Sequence, residues 1–153
     1  MTAVTNHRRT AERFLRVLPH VAALGIQLDH VEPARCTLRM DYREDLVGDP
    51  ATGVLHGGAV TTLIDTVFGL AVYTALSAPA AVATLDLRID YLRPATPALA
   101  LRAEGHCFRT TRQIAFVRGV AFHDDPSAPV AAAQGCFMIS PQAQKTDTGG
   151  QPT

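Results

Sequence analysis

The sequence predicts a two-layer α+β domain, an antiparallel sheet of five to six strands wrapped around one long central helix. Three observations lead there. The run from Leu55 to Leu76, LHGGAVTTLIDTVFGLAVYTAL, is apolar nearly all round, as expected of a helix in the middle of a fold. Segments before and after it alternate apolar and polar residues with a period of two. Short turns join those segments, so neighbouring strands run antiparallel.

Residues 7–18, HRRTAERFLRVL, place Phe14, Leu15, Val17 and Leu18 on a helical pattern that Pro19 stops. Ile26 and Leu28 then alternate with Gln27 and Asp29, and Cys36, Leu38, Met40 and Tyr42 with Thr37, Arg39 and Asp41. These are two strands of a hairpin turning through Glu32-Pro33-Ala34. Residues 43–54, REDLVGDPATGV, read as a loop leading into the central helix. After the helix and a break at Pro79, four strand-like runs follow: one with Leu85, Leu87, Ile89 and Tyr91, then 98–109, 113–123 and 129–139. The chain thus divides into an N-terminal helix over 1–19, one domain over 20–140, and a tail over 141–153. The tail's polar, Gly- and Pro-containing sequence predicts disorder.

The chain has 153 residues, enough for one domain with a substantial core, and balances 14 basic against 14 acidic residues. This argues against a nucleic-acid-binding stripe or a polybasic membrane surface. The N-terminus lacks the apolar core of a signal peptide, so a cytoplasmic protein is expected. The central run is about membrane length, but Asp65, four threonines and the absence of a basic flank favour a buried helix over a span. Cys36, Cys107 and Cys136 form no CxxC pair, and the histidines show no ligand spacing, so no metal or redox site is indicated. His106 and His123 lie on strand-like segments, as structural or exposed residues.

Two features of the helix carry chemistry. His56-Gly57-Gly58 lies where the loop becomes helix, where free N–H groups and the helix dipole can hold a developing oxyanion. The same glycines also serve a plain tight turn. Asp65 is a lone carboxylate in an apolar run, and such a group needs a partner or a task. Thr61 or Thr62, one turn back, would satisfy it locally. Asp65 lies eight residues after Gly57, about 12 Å along one helix, too far for both to touch one carbonyl. Two such helices packed antiparallel about a twofold axis would set each Asp65 opposite the partner's Gly57, giving two identical sites in a homodimer.

LHGGAVTTLIDTVFG resembles the helix motif of hotdog-fold acyl-CoA thioesterases of the PaaI-like group. LVGDPATGV resembles that group's loop, and VATLDLRIDYLRPA, residues 82–95, its strand after the helix. The resemblance spans about residues 20–140. It implies Asp65 as general base or nucleophile, the Gly57 N–H as the donor polarising the thioester carbonyl, His56 as an aid to substrate or water placement, and Thr84 as the residue positioning the attacking water. Gly58 and the loop residue Asp49 fall at substrate-binding positions. Many members carry Asn where this chain has Asp49, and a carboxylate cannot donate the amide's hydrogen bond. Thr84 shares strand parity with Asp86 and Arg88, which argues against its facing the helix.

Thioester hydrolysis needs a polarised carbonyl and an activated water, and no metal or redox cofactor. Coenzyme A carries phosphates, and Arg93, Arg109 and Arg112, at strand ends and turns, are candidates to meet them. The expected activity is therefore hydrolysis of an acyl-CoA by a homodimer or homotetramer. A hydroxyacyl-thioester dehydratase or hydratase and a non-catalytic acyl-CoA binding module are the alternatives.

Overall fold

The computed structural model describes residues 3–141. The tail expected over 141–153 therefore lies outside the described residues, apart from Pro141 at the end of the last strand.

Helix α1 spans Ala3–Arg16 and helix α2 Pro19–Leu24. The second helix is absent from the sequence reading. Pro19 stops α1 but also opens α2, because a missing N–H and a fixed φ cost nothing in a helix's first turn. Gly25, at φ 67°, closes α2 in the left-handed region. Strands β1 (Ile26–Glu32) and β2 (Arg35–Met40) form the expected hairpin.

The loop over 43–54 has more structure than its composition suggests. A 3₁₀ turn, Glu44–Leu46, precedes a small antiparallel ribbon of β3 (Val47–Asp49) and β4 (Val54–Leu55). Strands of three and two residues are too short to show a period of two. Helix α3 runs Gly57–Ala75. Four long strands follow: β5 (Ala80–Tyr91), β6 (Leu101–Thr110), β7 (Ile114–Phe122) and β8 (Ala131–Pro141). The main sheet has six antiparallel strands in the order β1-β2-β6-β7-β8-β5, so β5 forms one edge.

The sheet curls around α3, which packs against β2, β5, β6 and β7. Val60, Leu63, Ile64, Val67, Phe68, Leu70, Ala71 and Val72 of the helix are buried, together with Leu38, Met40, Leu101, Val117 and Phe137 of the sheet. Ala11, Leu15 and Val21 of α1 and α2 join the same core. By length and composition α3 could cross a membrane, and 67% of its most apolar stretch is buried within the fold.

The burial is not uniform. Gly57 and Gly58 are exposed, and Thr61, Thr62 and Asp65 are half-buried. They share one stripe at helical spacing, and the sheet leaves that stripe uncovered. Asp65 is therefore not a charge in the core.

Cys36 and Cys107 are buried and Cys136 is half-buried, all as free thiols. Burial pushes the Cys36 thiol up to about 11. His123 is structural as expected: its Nε2 accepts from the Thr96 N–H at 2.9 Å, and Nδ1 lies 2.8 Å from the Ala100 carbonyl oxygen.

The Phe68 ring seats where Gly105 of β6 pairs with Gly119 of β7. A Cβ on Gly119 would lie 2.8 Å from the Phe68 ring and would collide with the Glu104 carbonyl oxygen. The helix ring and the sheet meet at this distance only because the position has no side chain. Gly119→Ala is expected to destabilise the fold by about 2 kcal/mol or more, read as a lower midpoint in chemical denaturation. Unchanged stability would show that the sheet can yield there.

Candidate active site

The site is built from one helix terminus and one edge strand. Between β4 and α3 the backbone turns at His56, whose ring folds back over the first helical turn. Its Nδ1 accepts a hydrogen bond from the Gly58 N–H at 2.9 Å, making His56 the N-cap of α3. A Cβ on Gly58 would lie 2.9 Å from that nitrogen, so the cap requires glycine there. With Nδ1 accepting, the neutral imidazole carries its proton on Nε2.

The first N–H groups of a helix have no partner within it. Among the described residues the Gly57 N–H makes no hydrogen bond, and Gly57 is exposed. The two glycines thus differ. Gly57 offers a free donor, whereas the Gly58 N–H donates to His56.

Asp65 lies two turns further along the open stripe. The local partners expected for it bond elsewhere. Thr62 Oγ1 donates to the Gly58 carbonyl at 2.9 Å, and Thr61 Oγ1 lies 3.0 Å from the Tyr91 hydroxyl. The partner of Asp65 is Thr84 of β5, whose hydroxyl donates to Oδ1 at 2.7 Å. Among the described residues Oδ2 accepts from none, so one carboxylate oxygen is held and the other is open.

Strand parity argued against Thr84, and a bulge resolves the conflict. The pairing of β5 with β8 shifts between Thr84 and Asp86, leaving Leu85 as the extra residue. A bulge resets the alternation of the strand. Thr84 faces the helix on one side of it, while Leu87 and Ile89 pack on the core on the other. Tyr91 lies further along the same strand and was not singled out as a functional residue from the sequence. Its hydroxyl donates to the Gly57 carbonyl at 2.9 Å.

Asp49 bonds within its own turn. Its Oδ2 accepts from the Thr52 hydroxyl at 2.7 Å and its Oδ1 from the Ala51 N–H at 3.0 Å. These bonds, the Thr52 hydroxyl first, hold its carboxyl below the usual carboxylate range. Asp49 braces the turn between β3 and β4, each oxygen accepting a bond from within the turn.

The arginines divide between the two ends of the sheet. Arg93 follows β5 and borders a groove with Gly57, Val60 and Tyr91, its guanidinium donating to the Ala128 carbonyl at 2.7 Å. Arg109 and Arg112 sit at the β6–β7 turn, at the far end, where Ile114 pairs with Met138 and Met138 with Ala83. Within one chain Arg112 is therefore not beside Gly57. Two further cavities adjoin along the open stripe and share His20 and Thr62, one bordered by His56 and Leu24, the other by Asp65, Leu18, Val21 and Leu87.

A family model described as thioesterase superfamily matches residues 52–130, from the loop before α3 through β7. This chain belongs to the thioesterase superfamily. The medium/long-chain acyl-CoA thioesterase YigI of Salmonella typhimurium is 28% identical to it over 152 residues, covering 91% of this chain and 97% of the relative. A Pseudomonas aeruginosa protein of known structure is 41% identical, with a TM-score of 0.76 over 84% of this chain and 95% of that one. The Escherichia coli PaaI protein of the phenylacetic acid degradation operon shares the fold, with a TM-score of 0.80 at 19% identity over 90% and 96% of the two chains. The expected hotdog fold and the enzyme class, thioester hydrolase, both hold for this thioesterase.

The Thr84–Asp65 contact invites a direct test. Thr84→Val keeps the side chain's shape and removes the hydroxyl. It is expected to lower kcat about tenfold, the loss of one charge-assisted hydrogen bond to the Asp65 carboxylate, with little change in the unfolding midpoint. An unaltered kcat would make Thr84 a bystander.

Proposed function

We propose that this thioesterase hydrolyses acyl-CoA thioesters to a carboxylic acid and free coenzyme A. The observation that carries the reading is the Thr84–Asp65 hydrogen bond on the open stripe of the helix whose first N–H is free. A thioester carbonyl seated at the N-terminus of α3 would accept from the Gly57 N–H, and the helix dipole would favour the oxyanion. Asp65, steadied by Thr84, would either take a proton from the attacking water or attack the carbonyl carbon itself. In the first case the tetrahedral intermediate collapses with C–S cleavage, and the proton taken up by Asp65 passes to the leaving thiolate. In the second the C–S bond breaks to leave an Asp65–acyl anhydride and a thiolate that takes a proton from water, and a second water hydrolyses the anhydride to the carboxylic acid and free Asp65. His56 Nε2–H is a second donor near the carbonyl. The chemistry uses no metal and no redox group.

Gly57 and Asp65 are about 12 Å apart along one helix, which argues for a site shared across a homodimer. The edge strand β5, with Leu85 and Tyr91 about half exposed at 53% and 52%, supports an interface on this side. The name of the Salmonella relative favours medium- or long-chain acyl groups, and the apolar groove beside Asp65 suits an aliphatic chain. Arg93, beside Gly57, is the arginine best placed for a coenzyme A phosphate.

Release of free thiol from a panel of aliphatic and aromatic acyl-CoAs tests the activity. Asp65→Asn is expected to lose about a hundredfold or more in kcat, and full retention of rate would remove Asp65 from the mechanism. Loss of water from 3-hydroxyacyl-CoA without thiol release would replace the hydrolase reading with a dehydratase. Subunit mixing tests the shared site. Asp65→Asn and Gly57→Pro chains are each expected to be inactive, yet their mixture should recover about a quarter of wild-type rate, because each heterodimer holds one intact site. No recovery would place Gly57 and Asp65 of one chain in the same site.

A further inference from the structure

We propose that Tyr91 is a positioning residue for thioester hydrolysis, setting the direction of the donors at the N-terminus of α3. The inference rests on the thioester-hydrolase reading above. The phenol has a single proton, and the structure directs it to the Gly57 carbonyl at 2.9 Å. The Thr61 hydroxyl, 3.0 Å from the phenol oxygen, must then be the donor in that pair. The Gly57 carbonyl belongs to the same peptide unit as the Gly58 N–H, and that N–H donates to His56 Nδ1 at 2.9 Å.

A continuous chain follows: Thr61 hydroxyl to Tyr91 hydroxyl, to the Gly57–Gly58 peptide, to the imidazole, ending at an outward Nε2–H. Hydrogen bonds in series polarise one another, so a donor at one end strengthens the donor at the other. The free Gly57 N–H, the second donor, lies in the preceding His56–Gly57 peptide, joined to this one at the Gly57 Cα. Tyr91 therefore holds the Gly57–Gly58 peptide directly and steadies the Gly57 N–H through the adjoining Cα. The fit is close: a Cβ on Gly57 would lie 3.3 Å from the phenol oxygen. The phenol needs to touch no substrate to act in this way.

Tyr91→Phe keeps the ring and removes only the hydroxyl. The expected result is a kcat about tenfold lower with KM within about twofold of wild type, since one hydrogen bond governing transition-state donors is lost. Amide exchange at Gly58 should accelerate severalfold in the same variant. Thr61→Ala, harmful alone, should cost nothing further in the Tyr91→Phe background, because both changes break one chain. A kcat within twofold of wild type, a matching rise in KM, unchanged Gly58 exchange, or additive losses would each overturn the proposal. Wild-type protein that releases no thiol from any acyl-CoA overturns the functional reading instead, and the exchange measurement still decides whether Tyr91 holds the helix terminus.

Discussion

One extra residue in β5 sets the geometry of this protein's site. A strand has a strict period of two, so Thr84 and Leu87, three residues apart, would point to opposite faces of a regular strand. The bulge at Leu85 puts both on the helix side. Without it, either the Thr84 hydroxyl would turn away from Asp65 or the second half of the strand would lift Leu87 and Ile89 off the core. The polar contact and the apolar packing of β5 are compatible only because the alternation is reset between them.

The helix meets a matching constraint. Its composition is apolar enough for full burial, and a fully buried helix could not present a reacting group. The polar residues solve this by falling on one stripe, and the sheet curls around the rest. The Gly105–Gly119 pair leaves room for the Phe68 ring, so the helix packs closely on the sheet on the covered side. The opposite face of α3 carries the half-buried Thr61, Thr62 and Asp65. The same division explains why Asp65 needs no buried counter-ion: it sits half-exposed, with a single neutral donor.

Much of this was legible in the sequence, and the gaps have physical causes. Long elements with strong periods were read correctly: α3, the β1–β2 hairpin and the four strands after the helix. The spacing of Gly57 and Asp65 needed only the rise per residue. Helix α2 was hidden because Pro19 signals both the end of one helix and the start of another, and six residues are too few to show a period. The role of Thr84 ran against parity, since a bulge has no signature in a run such as ATLDLRIDY. The local bonds of Asp49 and Gly58 were not legible for a different reason. Each is held by a neighbour within three residues, and such local bonds depend on backbone angles that the order of residues does not reveal. Tyr91 stood in plain sight as an alternating apolar residue, but its hydroxyl matters only in relation to a carbonyl 34 positions away.

Strand β5 touches both ends of the open stripe, with Thr84 on the Asp65 carboxylate and Tyr91 on the glycine turn. It lies at the sheet edge and is registered against β8 alone in the main sheet. The strand is therefore a latch with a single throw. A slip of its register against β8 would release both ends at once, because one rigid backbone connects them. The ladder of β5 with β8 is then a common safeguard for two separate contacts, which in a homodimer of the proposed kind serve two different sites, so damage to the strand of one chain reaches both.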